Sequence, residues 1–179
     1  MENQPNSLIR HTLNYGSLTG GGLILFSLLM YSIDLDLQNP LMYLAFLILA
    51  AGIFFGIKSY SNNYLGGFIS YGKCIAVGVM ISFFASILLA IYTYLFFTFF
   101  DQSSIQKILE VTEEKMVSKG MTEEQIETGM KLTAKFMTPI WMSLIGILSY
   151  TFWGTIISLI IGIFTKKTDP SFEGQFNQD

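Results

Sequence analysis

The chain has 179 residues, of which 51% are hydrophobic and only 13% charged, and its net charge is −3. A soluble domain carries about 25% charged residues. Four stretches, at 12–33, 37–57, 74–100 and 140–165, contain no Asp, Glu, Lys or Arg, so every charge lies outside them. This segregation excludes a soluble globular protein, a disordered chain and a secreted disulfide scaffold. The single cysteine, Cys74, also excludes an intramolecular disulfide.

The charge-free stretches are long enough to cross a bilayer, which takes about 20 apolar residues. We therefore predict four membrane-spanning helices, at about 11–32, 40–57, 72–100 and 139–165. The first is too long for the apolar part of a cleaved signal peptide, and we expect it to be an uncleaved signal anchor. Pro40 and Pro139 suit the first turns of the second and fourth helices. The predicted fold is all-α, a four-helix transmembrane bundle forming a single integral membrane domain over residues 1–179.

The remaining segments are polar. We expect a tail at residues 1–11, an acidic turn at 33–39, a loop at 58–73 and a disordered tail at 168–179. Asn62, Asn63, Gly66 and Gly67 give the loop its turn chemistry.

Residues 101–137 form the one sizeable extramembrane segment, and their pattern predicts an amphipathic helical hairpin between spans three and four. Ser103-x-x-Gln106 and Thr122-x-x-Gln125 match the capping box that begins a helix. We predict helices at about 103–118 and 122–137, joined by a turn at 119–121. Each helix has an apolar stripe, formed by Ile105, Ile108, Leu109, Met116 and Val117 in the first and by Ile126, Met130, Thr133 and Met137 in the second. The sequence leaves open whether the hairpin stands upright or lies on the bilayer.

The distribution of basic residues predicts the orientation. If the N-terminus is inside, the inner segments carry Arg10, Lys58, Lys73, Lys166 and Lys167, and the short outer turn carries two Asp and no basic residue. The positive-inside rule favours this arrangement, although the hairpin then lies outside with five Lys. In a bacterium both termini would be cytoplasmic and the hairpin periplasmic.

Small residues recur at four-residue spacing in every span and form grooves where another backbone can approach closely. The ladders are Gly16 and Gly20; Gly52 and Gly56; Cys74, Gly78, Ser82, Ser86 and Ala90; and Gly154, Ser158 and Gly162. Packing within the chain and a homo-oligomer interface are both open, and four grooves in one chain favour packing. Aromatic residues gather at the outer ends of spans three and four, at Tyr92, Tyr94, Phe96, Phe97, Phe99, Phe100 and Trp141, as in an aromatic belt.

The sequence offers no catalytic, cofactor-binding or metal-binding residue. The central parts of the spans contain no ionisable side chain, and such side chains usually mark ion paths and catalytic groups in membranes. Two acidic clusters, Glu110, Glu113 and Glu114 and then Glu123, Glu124 and Glu127, have no nearby His and no calcium-loop spacing. We therefore interpret them as solvated helix faces. His11, the one histidine, is expected at the inner interface, in contact with the tail or lipid headgroups.

Four features of the chain resemble the bacterial membrane proteins grouped as domain of unknown function 4199. They are the loop 65–73 running into Gly78, the segment 120–127, Pro139 at the start of the last span, and Ile157 to Ile160 followed by Lys166 and Lys167. The resemblance implies a small multi-pass protein of the inner membrane of Gram-negative bacteria. It brings no known activity and no catalytic residues.

Two functions fit these observations best, and a membrane enzyme acting on lipid is a third for which the sequence offers no residue to name. The first is a non-enzymatic membrane component or accessory subunit whose periplasmic hairpin binds a protein partner. That contact would be made by Ile105, Leu109, Ile126 and Met130, with the loop from Gly66 to Lys73 as a second surface. The alternative is an oligomeric small transporter or channel with a pore lined by Ser82, Ser86, Thr93, Ser149 and Ser158. Neither involves nucleic acid, because the chain has no basic stripe.

Overall fold

A computed structural model describes residues 5–33 and 39–167 of the chain. The predicted tail at 168–179 and most of the acidic turn lie outside these residues. The prediction of an all-α fold is confirmed, because the described residues form helices together with one isolated β-bridge. The helices are α1 (Pro5–Ser32), α2 (Leu44–Tyr64, preceded by a 3-10 turn at Pro40–Tyr43), α3 (Tyr71–Leu95, extended by a π-helical turn at Phe96–Phe100), α4 (Ser103–Ser118), α5 (Glu123–Phe136) and α6 (Pro139–Thr165).

Four of these segments are long and apolar enough to cross a bilayer. They are Ser7–Ser32, Pro40–Tyr64, Tyr71–Phe100 and Pro139–Thr165. Their outward side chains are large and apolar, with Leu18 73% and Phe164 82% exposed. Such faces need lipid around them, because water would make them strongly unfavourable. The chain is therefore an integral membrane protein.

Two helices are longer than the sequence predicted. α1 begins at Pro5, where a proline suits the first helical turn, so residues 5–10 belong to the helix rather than to a tail. α2 continues past residue 57 to Tyr64. Its polar residues Asn62 and Asn63 occupy exposed positions, whereas Tyr60 and Ser61 are buried. The helix therefore extends beyond its apolar part, and polarity alone was a poor guide to its end.

Contacts divide the chain into two compact units. The first, the bundle unit, runs to Leu88 and resumes at Ser149, and the second, the hairpin unit, covers Leu89–Leu148. The prediction of one domain over 1–179 stays a prediction.

The core of the bundle unit lies between α2 and α3. It contains Leu49, Ile53, Ile57, Tyr60, Ile69, Cys74, Val77 and Ile81. Ile69, in the connection between the two helices, exchanges two backbone hydrogen bonds of 3.0 Å with Lys167, just after α6. This bridge holds the α2–α3 connection and the end of α6 at the same end of the bundle unit.

Small residues of the bundle unit lie against neighbouring helices of the same chain. A Cβ at Gly16 would approach the Cβ of Phe84 to 2.6 Å and the carbonyl oxygen of Ile81 to 3.0 Å. At another face of α3, Gly154 of α6 faces Ser82, so that a side chain there would overlap the serine. These contacts show that the predicted grooves serve packing inside the chain.

Candidate functional site

The hairpin is built from two well-capped helices. The hydroxyl of Thr122 accepts from the backbone N–H of Gln125 at 3.4 Å, and the Gln125 side chain accepts from the N–H of Thr122 at 3.0 Å, so this predicted capping box is present. α4 ends in a Schellman motif, in which Met121 N–H donates to Met116 and Gly120 N–H to Val117. Gly120 has φ +72°, a backbone conformation that suits glycine.

The predicted capping box at Ser103 and Gln106 is wrong. Asp101 caps α4 instead, and its carboxylate accepts from the backbone N–H of Ser104 at 3.1 Å and from the hydroxyls of Ser103 and Ser104. A carboxylate at a helix N-terminus also has favourable electrostatics with the helix dipole. Asp is a preferred N-cap residue, so the sequence did contain this cap. Ser103 and Ser104 are preferred N-cap residues as well, and the sequence alone did not decide among the three.

The apolar stripes of the hairpin are partly covered. Ile105, Leu109, Ile126 and Met130, the residues predicted to bind a partner, are all half-buried. Between the helices, the side chain of Met116 lies 3.1 Å from the position of a Cβ at Gly129. The stripes thus contribute to the packing of α4 and α5. Val117, although it belongs to the predicted stripe of α4, is 58% exposed, and three apolar residues outside the stripes are also exposed: Val111 (39%), Leu132 (62%) and Phe136 (39%).

The acidic clusters lie on exposed positions of α4 and α5. Glu127 pairs with Lys131 at 2.7 Å, and both side chains are more than two-thirds exposed, at 69% and 76%. An ion pair this exposed contributes little to stability. Among residues 5–33 and 39–167, no three His, Cys, Asp or Glu side chains are placed to hold a metal ion.

A cleft of about 570 Å³ lies at the base of the hairpin, where α4 and α6 begin. It is lined by Phe97, Thr98, Gln102, Ser103, Ile105, Gln106 and Pro139. The π-helical turn places Phe97 and Thr98 in its wall, and Gln102 donates through Nε2 to the Thr98 carbonyl at 2.8 Å. π-helical turns occur often at functional sites. Nothing in the sequence pattern predicted this cleft, because its walls come from three separate segments.

Three hydroxyls of the hairpin unit are buried without a partner within the described part of the chain. They belong to Tyr92, Thr98 and Thr138. Thr98 lies in the cleft wall, and Thr138 directly precedes the wall residue Pro139. A buried hydroxyl without a hydrogen bond costs about 1–3 kcal/mol, so such groups call for an explanation.

His11 was expected to contact the tail or lipid headgroups at the inner interface. Its side chain is instead buried, with only 6% of its surface exposed. Its Nε2 lies 2.9 Å from the carbonyl oxygen of Gly56 on α2, and because a carbonyl only accepts, Nε2 carries the proton. Three tyrosine rings surround the imidazole, Tyr15 at 4.8 Å, Tyr60 at 5.3 Å and Tyr64 at 5.5 Å. This cluster ties α1 to α2 inside the bundle unit.

The hydroxyls proposed to line a pore are engaged in the packing of α3 and α6. Ser82, Ser86 and Ser158 are at most 1% exposed, and each donates to a backbone carbonyl of its own helix. Ser86 also lies 3.3 Å from the hydroxyl of Thr151. Thr93 is half-buried and Ser149 exposed. The three buried serines therefore face a packed helix interface and not a channel.

The segment from Gly66 to Lys73 was predicted as a second contact surface. The predicted loop at 58–73, to which it belongs, is shorter than expected because α2 continues to Tyr64 and α3 begins at Tyr71. Gly66 and Gly67 have φ of +61° and +90°, which allow the tight reversal. Gly66, Phe68, Ser70 and Lys73 are exposed, whereas Ile69 is 2% exposed and belongs to the core.

Fold and composition define an all-α integral membrane protein with four apolar spans and a helical hairpin between the third and fourth spans. The chain belongs to the family described as protein of unknown function, DUF4199, whose family model matches residues 14–167. Neither a curated protein nor a solved structure matches the chain.

Proposed function

We propose that the protein is a non-enzymatic component of a bacterial inner membrane, whose four spans anchor the hairpin and whose hairpin binds a second protein. The observation that carries this proposal is the exposure of Val111, Val117 and Leu132 on helices that are already capped and packed. A large part of each of these apolar side chains stays exposed after the hairpin has packed. Burying them against a partner would contribute about 25 cal/mol per Å².

The proposed orientation places both termini in the cytoplasm and the hairpin in the periplasm. Arg10, Lys58, Lys73, Lys166 and Lys167 are all exposed, as the positive-inside rule requires of residues that hold a loop on the cytoplasmic side. The bridge between Ile69 and Lys167 supports the grouping, because it joins the two segments that carry four of these five side chains.

Site-specific photocrosslinking in intact cells tests the partner. A photoreactive residue at Leu132 or Val117 is expected to give a discrete adduct with one protein, since these side chains are the most exposed apolar groups of the hairpin. Glu124, exposed on the charged face of α5, is the matched control position and is expected to give no such adduct. The substitution Leu132→Glu, made in the chain carrying the probe at Val117, is expected to lower the yield about tenfold.

Equal adducts at Leu132 and Glu124, or adducts with lipid alone, would contradict the proposal. Lipid adducts would mean that the exposed apolar residues lie on the bilayer surface.

A further inference from the structure

The basic side chains of the bundle unit have no acidic neighbours among its described residues. That part of the unit contains no Asp or Glu. It contains five basic residues, all of them exposed: Arg10, Lys58, Lys73, Lys166 and Lys167. The described surface of the unit therefore carries positive charge that no carboxylate of the same surface balances.

Three of these residues are brought together by contacts between the start of α3 and the end of α6. They are Lys73, Lys166 and Lys167, which we call the lysine cluster. The backbone of Lys167 exchanges two hydrogen bonds of 3.0 Å with Ile69, just before α3. The hydroxyl oxygen of Thr165 lies 3.6 Å from the Sγ of Cys74, and the residues next to this contact are Lys166 on one segment and Lys73 on the other. The cluster is therefore fixed by the packing of the two helices.

Helix electrostatics accounts for only part of the lysine cluster. Lys166 and Lys167 follow the last turn of α6, where the helix dipole favours cations. Lys73 lies in the first turn of α3, where the dipole disfavours a cation, and no acidic residue lies in that turn. An anion held by the three ammonium groups would offset both the dipole and the repulsion among the lysines.

The lysine cluster borders the apolar surface of the spans. Phe164, two residues before Lys166, is 82% exposed, and Tyr71, two residues before Lys73, is 37% exposed. Exposed aromatic rings at the ends of spans mark the border between lipid and water. Basic groups at this depth meet the headgroups of anionic lipids, which they attract. A soluble anion would use the ammonium groups alone, whereas a lipid also brings apolar surface to Phe164.

We propose that the lysine cluster binds the headgroup of an anionic phospholipid. The ammonium groups donate to the phosphate oxygens, and an acyl chain lies against the ring of Phe164. This inference does not depend on the proposed protein-binding role of the hairpin, because the cluster belongs to the bundle unit and the residues of that role belong to the hairpin unit.

The test measures lipid binding to the full-length protein in a neutral detergent by native mass spectrometry, with phosphatidylglycerol and phosphatidylethanolamine titrated separately. The natural chain is expected to bind the anionic phosphatidylglycerol more tightly than the zwitterionic phosphatidylethanolamine. The triple variant Lys73→Gln, Lys166→Gln, Lys167→Gln is expected to weaken phosphatidylglycerol binding about tenfold and to leave phosphatidylethanolamine binding unchanged. Lys73→Gln alone is expected to weaken phosphatidylglycerol binding about threefold.

The matched control replaces three lysines of the hairpin by Gln, namely Lys107, Lys115 and Lys119. It removes the same charge from exposed positions of the same chain, and we expect it to leave phosphatidylglycerol binding unchanged. Arg at all three positions of the lysine cluster keeps the charge and is expected to bind phosphatidylglycerol as the natural chain does. This variant separates the loss of charge from damage to the fold.

Equal weakening in the two Gln triples would mean that net charge alone attracts the lipid, and would overturn the proposal. Equal binding of the two lipids by the natural chain would overturn it as well. Displacement of phosphatidylglycerol by soluble glycerol phosphate would identify a free phosphate compound, and not a lipid, as the occupant of the cluster.

Discussion

At the scale of single residues, the packing of α3 and α6 depends on side chains that are missing or very small. Gly78 lies against Ser158 and Gly154 against Ser82, so each helix contributes one glycine and one serine to the same interface. In lipid, where apolar side chains gain nothing from leaving water, such close contact is a main source of helix association. The serine hydroxyls cost nothing there, since each bonds its own helix backbone.

A leucine at position 154 is therefore expected to separate α3 from α6. Any side chain at Gly154 overlaps Ser82, and overpacking typically costs about 1–3 kcal/mol. Gly154→Leu should lower the Tm in detergent and the yield of folded protein. Gly146→Leu, on the same helix, is the control, because no atom lies within 4 Å of a Cβ at that glycine. Equal losses in the two variants would mean that the close contact at Gly154 does not stabilise the protein.

At the scale of elements, the two helices of the hairpin are stabilised at their ends by caps. α4 and α5 have 16 and 14 residues, and isolated helices of this length are marginal in water. Asp101 satisfies donors at the start of α4, the Schellman motif at Gly120 satisfies carbonyls at its end, and the capping box at Thr122 begins α5. The partner-binding surface that we propose requires this order, because it presents side chains from both helices.

The two explanations for the start of α4 can be separated by experiment. Asp101→Ala removes the acceptor of three hydrogen bonds and is expected to destabilise α4 by about 1 kcal/mol, the usual cost of losing a cap. Hydrogen exchange in the first turn of α4 should accelerate accordingly. Ser103→Ala, which removes the cap that the sequence pattern predicted, should have a smaller effect. A larger effect of Ser103→Ala than of Asp101→Ala would support the predicted capping box and contradict the role of Asp101 as the cap.

At the scale of the whole molecule, the orientation that we propose has the α2–α3 connection in the cytoplasm and the hairpin in the periplasm. α3 and its π-helical extension run from Tyr71 to Phe100, a segment long and apolar enough to cross a bilayer once. Cys74, the one cysteine of the chain, is fully buried in the core of the bundle unit. The native thiol is therefore not expected to react with a labelling reagent.

Single cysteines test this arrangement. In intact bacterial cells, Glu124→Cys is expected to react with a membrane-impermeant maleimide, whereas Ser70→Cys should react only after the membrane is opened. Both native side chains are exposed, so access to the thiol depends on the side of the membrane. The natural chain, with Cys74 alone, is the control and should stay unlabelled. Labelling of Ser70→Cys alone would mean that the orientation is the reverse of the one proposed. Labelling of both variants would contradict a membrane crossing by α3.

Much of the fold could be predicted from the sequence because membrane helices are specified by local composition. The last span was predicted at 139–165 and observed at Pro139–Thr165, since Pro139 and the Lys pair delimit it sharply. The end of α2 was missed because a helix that leaves the bilayer becomes amphipathic, and its polar residues resemble a loop. The candidate sites were predicted less well. The stripe at Ile105 and Leu109 was found, but both side chains are half-buried.

What the sequence by itself determined is the fold class, the membrane environment and the positions of the helices, since hydrophobic length and helix periodicity are properties of contiguous residues. Only the tertiary structure decided which residues meet. It buried His11 among three tyrosines, set Gly154 against Ser82, and assembled the cleft from the end of span three, the start of α4 and Pro139. These are contacts between distant segments, and they depend on how helix surfaces fit together, which no local pattern encodes.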